Sequence, residues 1–261
     1  MLTTNYVPGV PNWVDLTVPD VETAAEFYRA LLGWEFQSAG PTAGGYGFFR
    51  LGGRIVAALG PFVAEEAGPE WTVYFHVTDA DATARAVRRA GGTVRVEPCD
   101  VFTAGRTAAC TDPTGARFAV WQPGERLGLD AVTVPNTLCW TELYTIDEAV
   151  AKDFYRAVFG WSLWDVPMPG VSYAVAAPSG GGQQESHAGI MRLPAENLAA
   201  GTTSGWHPYF EVADCDGAVT TAADRGASVL MPPEDFQGVG RLALLTDPFG
   251  AMFALITSSP T

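Results

Sequence analysis

With 261 residues, 48% of them apolar and 17% charged, the chain suits two globular domains of ordinary size and excludes a disordered polymer. The formal net charge of −14 argues against nucleic acid and anionic membrane as partners, because phosphate binding needs clustered Lys and Arg. Four cysteines (Cys99, Cys110, Cys139, Cys215) without CxxC spacing read as free thiols, and neither a leader nor a membrane-spanning apolar run is visible, so a cytoplasmic protein is expected.

In chain order, residues 1–11 read as a loose tail, and Asn12–Val18 as a strand ended by Pro19. Asp20 is placed to cap a helix whose apolar positions Val21, Ala24, Ala25, Tyr28, Leu31 and Leu32 recur at helical spacing, with Gly33 as the stop. Three short strands follow, around Trp34–Gln37, Tyr46–Leu51 and Arg54–Leu59, with Gly52-Gly53 as a hairpin turn. The same order then recurs: strand Trp71–Val77, helix Ala80–Ala90, strand Thr93–Val96, and a hairpin of Arg106–Thr111 and Arg117–Gln122 across the turn Asp112-Pro113-Thr114-Gly115.

The whole pattern is written twice. Trp13, Asp20, Phe27 and Gly33 reappear as Trp140, Asp147, Phe154 and Gly160, each 127 positions later. A constant offset across unlike residues marks an internal duplication. The later halves align at 135, through Val77 with Val212, Gly91 with Gly226 and Asp112 with Asp247. Eight extra residues therefore lie between Trp161 and Trp206, in Pro167–Gly170, Pro178–Gly182 or Pro194–Gly205. The expected fold class is α+β, with four βαβββ modules. A tail (1–11) precedes a first domain (12–123), a linker (124–135) and a second domain (136–261).

Four such modules with D-P-x-G turns resemble the vicinal oxygen chelate superfamily of glyoxalase I, extradiol dioxygenases, fosfomycin-resistance enzymes and bleomycin-resistance proteins. The markers are Leu16-x-Val18-x-Asp20 with Phe27-Tyr28 and Leu32-Gly33, Asp112-Pro113-Thr114-Gly115 with Phe118, and their second copies ending in Asp247-Pro248-Phe249-Gly250. More narrowly, the layout is similar to the tandem glyoxalase-like proteins of actinobacteria, a group that includes a mycobacterial antigen and proteins called glyoxalases or hydroxylases of secondary metabolism. The resemblance implies two glyoxalase-like domains whose curled mixed sheets form cups. It also implies metal ligands seven residues before the Asp that opens each first helix and four after the Gly of each D-P-x-G turn. Here those positions hold Trp13, Trp140, Ala119 and Ala254, none with a usable donor, so no cofactor is expected. The alternative is a divalent metal (Fe, Ni, Zn or Mn) in the second copy, held by His187 and His207 with Glu142 or Glu211.

Side chains two apart on a strand face the same way. Trp13 then brings Asp15 into the first cup, and Trp140 brings Glu142 into the second. The facing strands add Tyr74 and His76 in one copy and His207, Tyr209 and Glu211 in the other; Trp121 lies on a last strand. This gives aromatic cups with acids at the floor. Asp15/His76 and Glu142/His207 are the candidate catalytic pairs, while Trp13, Tyr74, Trp121, Trp140, Tyr209 and Glu211 are candidate substrate contacts. Three functions are open to such a chain: an enzyme on a small apolar or aromatic metabolite, a hydroxylase, isomerase or lyase working without the usual metal; a binding protein that sequesters a planar cationic guest; or a metal-dependent glyoxalase or dioxygenase using the second copy. The partner is a small molecule, and the protein itself a monomer or homodimer.

Overall fold

The computed structural model describes residues 2–62, 68–168, 170–199 and 201–259. Met1, residues 63–67, Pro169, Ala200, Pro260 and Thr261, which fall in the expected tail, the two expected domains and their loops, lie outside the described residues. The first module comprises β1 (Pro11–Val18), α1 (Val21–Leu32), β2 (Glu35–Ser38), β3 (Gly47–Leu51) and β4 (Arg54–Pro61). The second comprises β5 (Glu70–His76), α2 (Ala80–Arg89), β6 (Thr93–Val101), β7 (Gly105–Thr111) and β8 (Arg117–Pro123). The third has β9 (Leu138–Thr145), α3 (Glu148–Phe159), β10 (Ser162–Asp165), β11 (Tyr173–Ala177) and β12 (Ala188–Arg192). A short helix α4 (Ala195–Ala199) leads to the fourth, with β13 (Gly205–Glu211), α5 (Cys215–Asp224), β14 (Ser228–Phe236), β15 (Gly240–Thr246) and β16 (Met252–Ser258).

Each long helix starts the same way. The side chains of Asp20, Asp79, Asp147 and Asp214 accept from backbone N–H groups of the first turn, satisfying donors that a helix end leaves bare. Gly33 and Gly160 end α1 and α3 in the left-handed conformation that favours glycine.

The strands form two mixed eight-stranded sheets, in the orders β2-β3-β4-β1-β5-β8-β7-β6 and β10-β11-β12-β9-β13-β16-β15-β14. The first and last strands of every module run parallel (β1 with β4, β5 with β8, β9 with β12, β13 with β16), and the hairpins between them are antiparallel. The α+β class and the four-module order follow. Strand register also locates the extra residues. Asp15 faces Ala58 and Glu142 faces Gly189, so β12 stands 131 positions after β4. Four of the eight insertions thus fall between β11 and β12, around Pro178–Gly182, and four between β12 and β13, where α4 lies. The stretch 167–170 holds none, because the register of the strands on both sides of it keeps the offset of 127, Ser162 facing Ala177 as Glu35 faces Arg50.

By packing, the chain divides into two compact units. One contains Met1–Trp13, Val73–Gly128 and Trp140–His207; the other contains Val14–Thr72, Leu129–Cys139 and Pro208–Thr261. In the first, Tyr155 stacks on Trp161 at 4.9 Å, Phe118 meets Phe154 at 6.0 Å, and Phe75 meets Trp161 at 5.4 Å. In the second, Tyr28 stacks on Trp34 at 5.6 Å, and Trp34 meets Phe210 edge-on at 5.2 Å. Each aromatic core therefore draws on both copies, where length alone suggested one core per copy.

The D-P-x-G turns anchor these cores. Asp112 Oδ1 accepts from the N–H groups of Thr114 and Ala116, closing its own turn, while Oδ2 takes the Tyr155 hydroxyl at 3.0 Å. Trp206 Nε1 donates to that hydroxyl at 2.7 Å. Asp247, Tyr28 and Trp71 repeat the relay in the other unit, at 3.2 and 3.0 Å. Both tyrosines are core residues as expected, and each fully buried hydroxyl is satisfied on both sides. Arg106 bridges Asp81 and Asp100, and Arg241 bridges Asp216 and Asp235, tying helix to hairpin in both copies.

Two residues of the segment expected to be a loose tail, Gly9 and Val10, are hydrogen-bonded within the first unit. Gly9 N donates to His76 O and His76 N to Val10 O, both at 2.8 Å, and Trp161 Nε1 donates to Gly9 O at 2.8 Å.

Candidate functional site

In the first unit, parallel pairing of β9 with β12 sets Glu142 directly beside Gly189. Strand alternation turns Trp140 and Glu142 to one face, and the indole Nε1 of Trp140 donates to Glu142 Oε2 at 2.9 Å. The hydroxyl of Tyr173, at the start of β11, donates to the same oxygen at 3.3 Å. Glu142 Oε1 is buried and has no hydrogen-bond partner in the protein. Glu142 itself is 4% exposed, whereas Trp140 and Tyr173 are half-buried, so one side of the trio reaches solvent.

Burial dominates the electrostatics. It pushes the Glu142 carboxyl up to about 8, against the smaller opposing pull of the Trp140 and Tyr173 hydrogen bonds. The Tyr173 hydroxyl is raised by burial first and then by Glu142. At neutral pH the carboxyl is therefore a protonated acid with a bare oxygen, able to donate a proton or a hydrogen bond.

The first copy builds a smaller counterpart in the other unit. Tyr46 donates to Asp15 Oδ2 at 3.3 Å, and Ala58 occupies the register position beside Asp15. Neither tyrosine was singled out from sequence, although Tyr46 and Tyr173 obey the offset of 127 and could have been found by it. Gly189 left no such signal.

The remaining expected residues fall as follows. The His76 ring is bonded to the backbone of Val7, Nδ1 has no partner, and burial lowers the imidazole below its ordinary value. Asp15 and His76 belong to different units, and each is engaged within its own. Tyr74 pairs in register with Ala119 and His76 with Trp121, whose Nε1 donates to Arg126 O at 2.8 Å. His207 rests against the ring of Tyr144 at 5.1 Å. Of the candidate pair Glu142/His207, Glu142 Oε2 accepts from Trp140 and Tyr173 and Oε1 is bare. Glu211 accepts from Ser258 N at 3.0 Å and from its hydroxyl, holding the end of β16. Tyr209 is buried in register with Ala254, its carbonyl accepting from Cys139 Sγ. Trp13 is buried in the first unit.

Glu142 and Glu211, two of the alternative metal set of His187, His207, Glu142 and Glu211, are engaged as just described. No group of three or more His, Cys, Asp and Glu side chains that could hold a metal occurs among the described residues. His187 packs edge-on against Trp161 at 5.1 Å inside the aromatic core, both ring nitrogens bare, and burial pushes it down to about 3. The ligand positions implied by the superfamily hold indoles and methyl groups, so the donor set does not fit the metal.

A cavity of about 520 Å³ beside α3 is a separate feature. Its Lys152 bridges Glu148 and Asp165, and Ser172 donates to Glu148, so its central charges are already paired.

Residues 10–120 match the family described as Glyoxalase/Bleomycin resistance protein/Dioxygenase superfamily, and residues 143–256 match a Glyoxalase-like domain. A relative from Streptomyces sp. (strain C5), the anthracycline biosynthesis protein DauV, is 38% identical over 97% of this chain and 94% of its own. The chain belongs to this glyoxalase/dioxygenase superfamily. Solved members share the fold at low identity. The 2,3-dioxygenase LapB from Pseudomonas sp. KL28 superposes with a TM-score of 0.65 at 17% identity, covering 97% of this chain and 94% of that one. The Mn(II)-bound glyoxalase from Novosphingobium aromaticivorans gives 0.64 at 17% identity, over 96% and 83%. The superfamily and its named relatives are those of an enzyme, and its reaction is not determined by them. No helix among the described residues is long and apolar enough to cross a membrane.

Proposed function

We propose that the protein is an enzyme of secondary metabolism acting on a small aromatic or apolar molecule that carries a carbonyl or hydroxyl oxygen. The working site is the second cup, with Glu142 as proton donor and Trp140 and Tyr173 as its positioning partners. One observation carries this reading: a buried carboxyl, held up to about 8, keeps one oxygen bare beside a half-exposed indole and phenol. In the proton-transfer step the O–H bond at Glu142 breaks as one forms at the substrate oxygen. The carboxylate left behind keeps the Trp140 and Tyr173 hydrogen bonds, which favour the charged form. Trp140 supplies a flat face for an aromatic ring. The Streptomyces relative is named for anthracycline biosynthesis, and for the aromatic substrate proposed here we choose polycyclic aromatic ketones as the class to try first. No step is routed through a metal, because the donor positions do not fit one.

The sequestration reading fits a neutral guest better than the cation first envisaged, since a protonated Glu142 offers no charge to pair. Incubation with a panel of polycyclic aromatic ketones, read by mass spectrometry, separates the two. Turnover by the wild type that falls about 100-fold or more in E142Q, with folding retained, is the expected result. Unchanged turnover in E142Q sinks the acid role, and binding without conversion by the wild type leaves the sequestration reading.

A further inference from the structure

The two copies solve one packing problem in opposite ways. In the first, the shorter acid Asp15 lies beside Ala58; in the second, the longer acid Glu142 lies beside Gly189. A methyl group built on Gly189 would overlap both carboxyl oxygens of Glu142 and the hydroxyl of Tyr173, closer than real contacts allow. The methylene gained on β9 is thus offset by the methyl lost on β12. The tyrosine partner is kept, since Tyr46 donates to Asp15 as Tyr173 does to Glu142, each at 3.3 Å.

We propose that Gly189 is a positioning residue of the second cup: its missing side chain makes the space in which the Glu142 carboxyl sits buried, bonded on one oxygen and bare on the other. The inference rests on the Glu142 reading and deepens it. A carboxyl held this way presents an O–H to its guest, so the site takes a hydrogen-bond acceptor, a carbonyl oxygen before a cation. The titratable groups around the trio are Tyr173 on β11, Tyr144 on β9 and, against Tyr144, His207 on β13. Strand β12 contributes none beside Gly189.

The overlapping atoms are the ends of flexible side chains, so G189A can fold by displacing the carboxyl. Carboxyl NMR of protein labelled with ¹³C-glutamate reads the result directly. In the wild type one glutamate should titrate far above the rest, at about 8. In G189A that midpoint should fall by about one unit or more, a tenfold loss of proton affinity. The pair G189A/E142D, which copies the Asp15–Ala58 arrangement, should recover the melting temperature lost in G189A. The reciprocal exchange D15E/A58G in the first copy should create a second high-titrating glutamate, and D15E alone should not. An unmoved Glu142 midpoint in G189A, with or without a drop in melting temperature, overturns the inference, as does a D15E/A58G protein without the new resonance. A moved midpoint with unchanged turnover upholds Gly189 and defeats the acid–base reading instead.

Discussion

Two buried ionisable side chains in the first unit have opposite effects on stability. Glu142 binds its proton more tightly folded (about 8) than unfolded, so between its ordinary value near 4.5 and 8 the folded state holds the extra proton. Stability from this group therefore falls as pH rises through that window. His187 is the reverse: buried neutral and pushed down to about 3, it gives stability that rises with pH from 3 to its ordinary value of 6.5. The two slopes oppose between pH 4.5 and 6.5, and above 6.5 only the Glu142 slope is left. Urea denaturation should thus show a contribution falling by about 2 kcal/mol between pH 6.5 and 8, from roughly 1.4 kcal/mol per unit for one proton. E142Q, neutral throughout, should abolish that decline while leaving the acid-side loss to which His187 contributes. Replacing His187 with Phe should reduce the acid-side loss and spare the alkaline one. A decline that survives in E142Q would place its source elsewhere. At this scale the superfamily resemblance placed Trp13 and Trp140 at implied ligand positions, because counting from a helix-opening Asp needs only local spacing once that resemblance is in hand. Tyr173 could not be joined to Glu142 in that way, since they sit 31 residues apart and meet only through sheet pairing.

Among elements, the D-P-x-G turns have two jobs where sequence suggested one. One carboxyl oxygen closes the turn and the other receives a buried tyrosine from a helix of the other copy. Burial raises both Asp112 and Asp247 above the ordinary carboxylate range, partly countered by those hydrogen bonds. Y28F removes the hydroxyl between Trp71 Nε1 and Asp247 Oδ2 and leaves two buried polar atoms without a partner. The expected loss is about 1–3 kcal/mol, read as a lower denaturation midpoint with unchanged slope, and Y155F should lose a similar amount. If both variants match the wild type, the relays carry no stability. The turns themselves were legible, since Asp-Pro-x-Gly is local chemistry. The tyrosine that each turn receives was not, because it comes from a helix 43 or 219 positions away.

For the whole molecule, the tandem repeat in sequence and the pairing in space do not coincide. Each sheet uses the strands of one copy, yet each compact unit takes one module from each copy. A chain cut in the 124–135 segment leaves Tyr28, Trp34 and Trp71 without Phe210 and Phe253, and Phe75 and Phe118 without Phe154, Tyr155 and Trp161. Fragments 1–128 and 129–261 made separately should therefore lack cooperative thermal unfolding, and mixing or co-expressing them should restore it. Independent cooperative unfolding of either fragment would show that one copy suffices for a core.

By itself the sequence determined the duplication, the four βαβββ modules and the caps and turns. All of these are written in short-range spacing, where helical period, strand alternation and Asp, Gly or Pro chemistry act within a few residues. Only the tertiary structure decided that modules of different copies share each core, that Gly9 and Val10 are bonded to β5, and that His187 packs against Trp161 in an aromatic core. It also decided the pairing of Glu142 with Gly189. That pairing depends on the register of two parallel strands separated by a hairpin of changed length, and a shift of one residue there would have set another side chain against the acid.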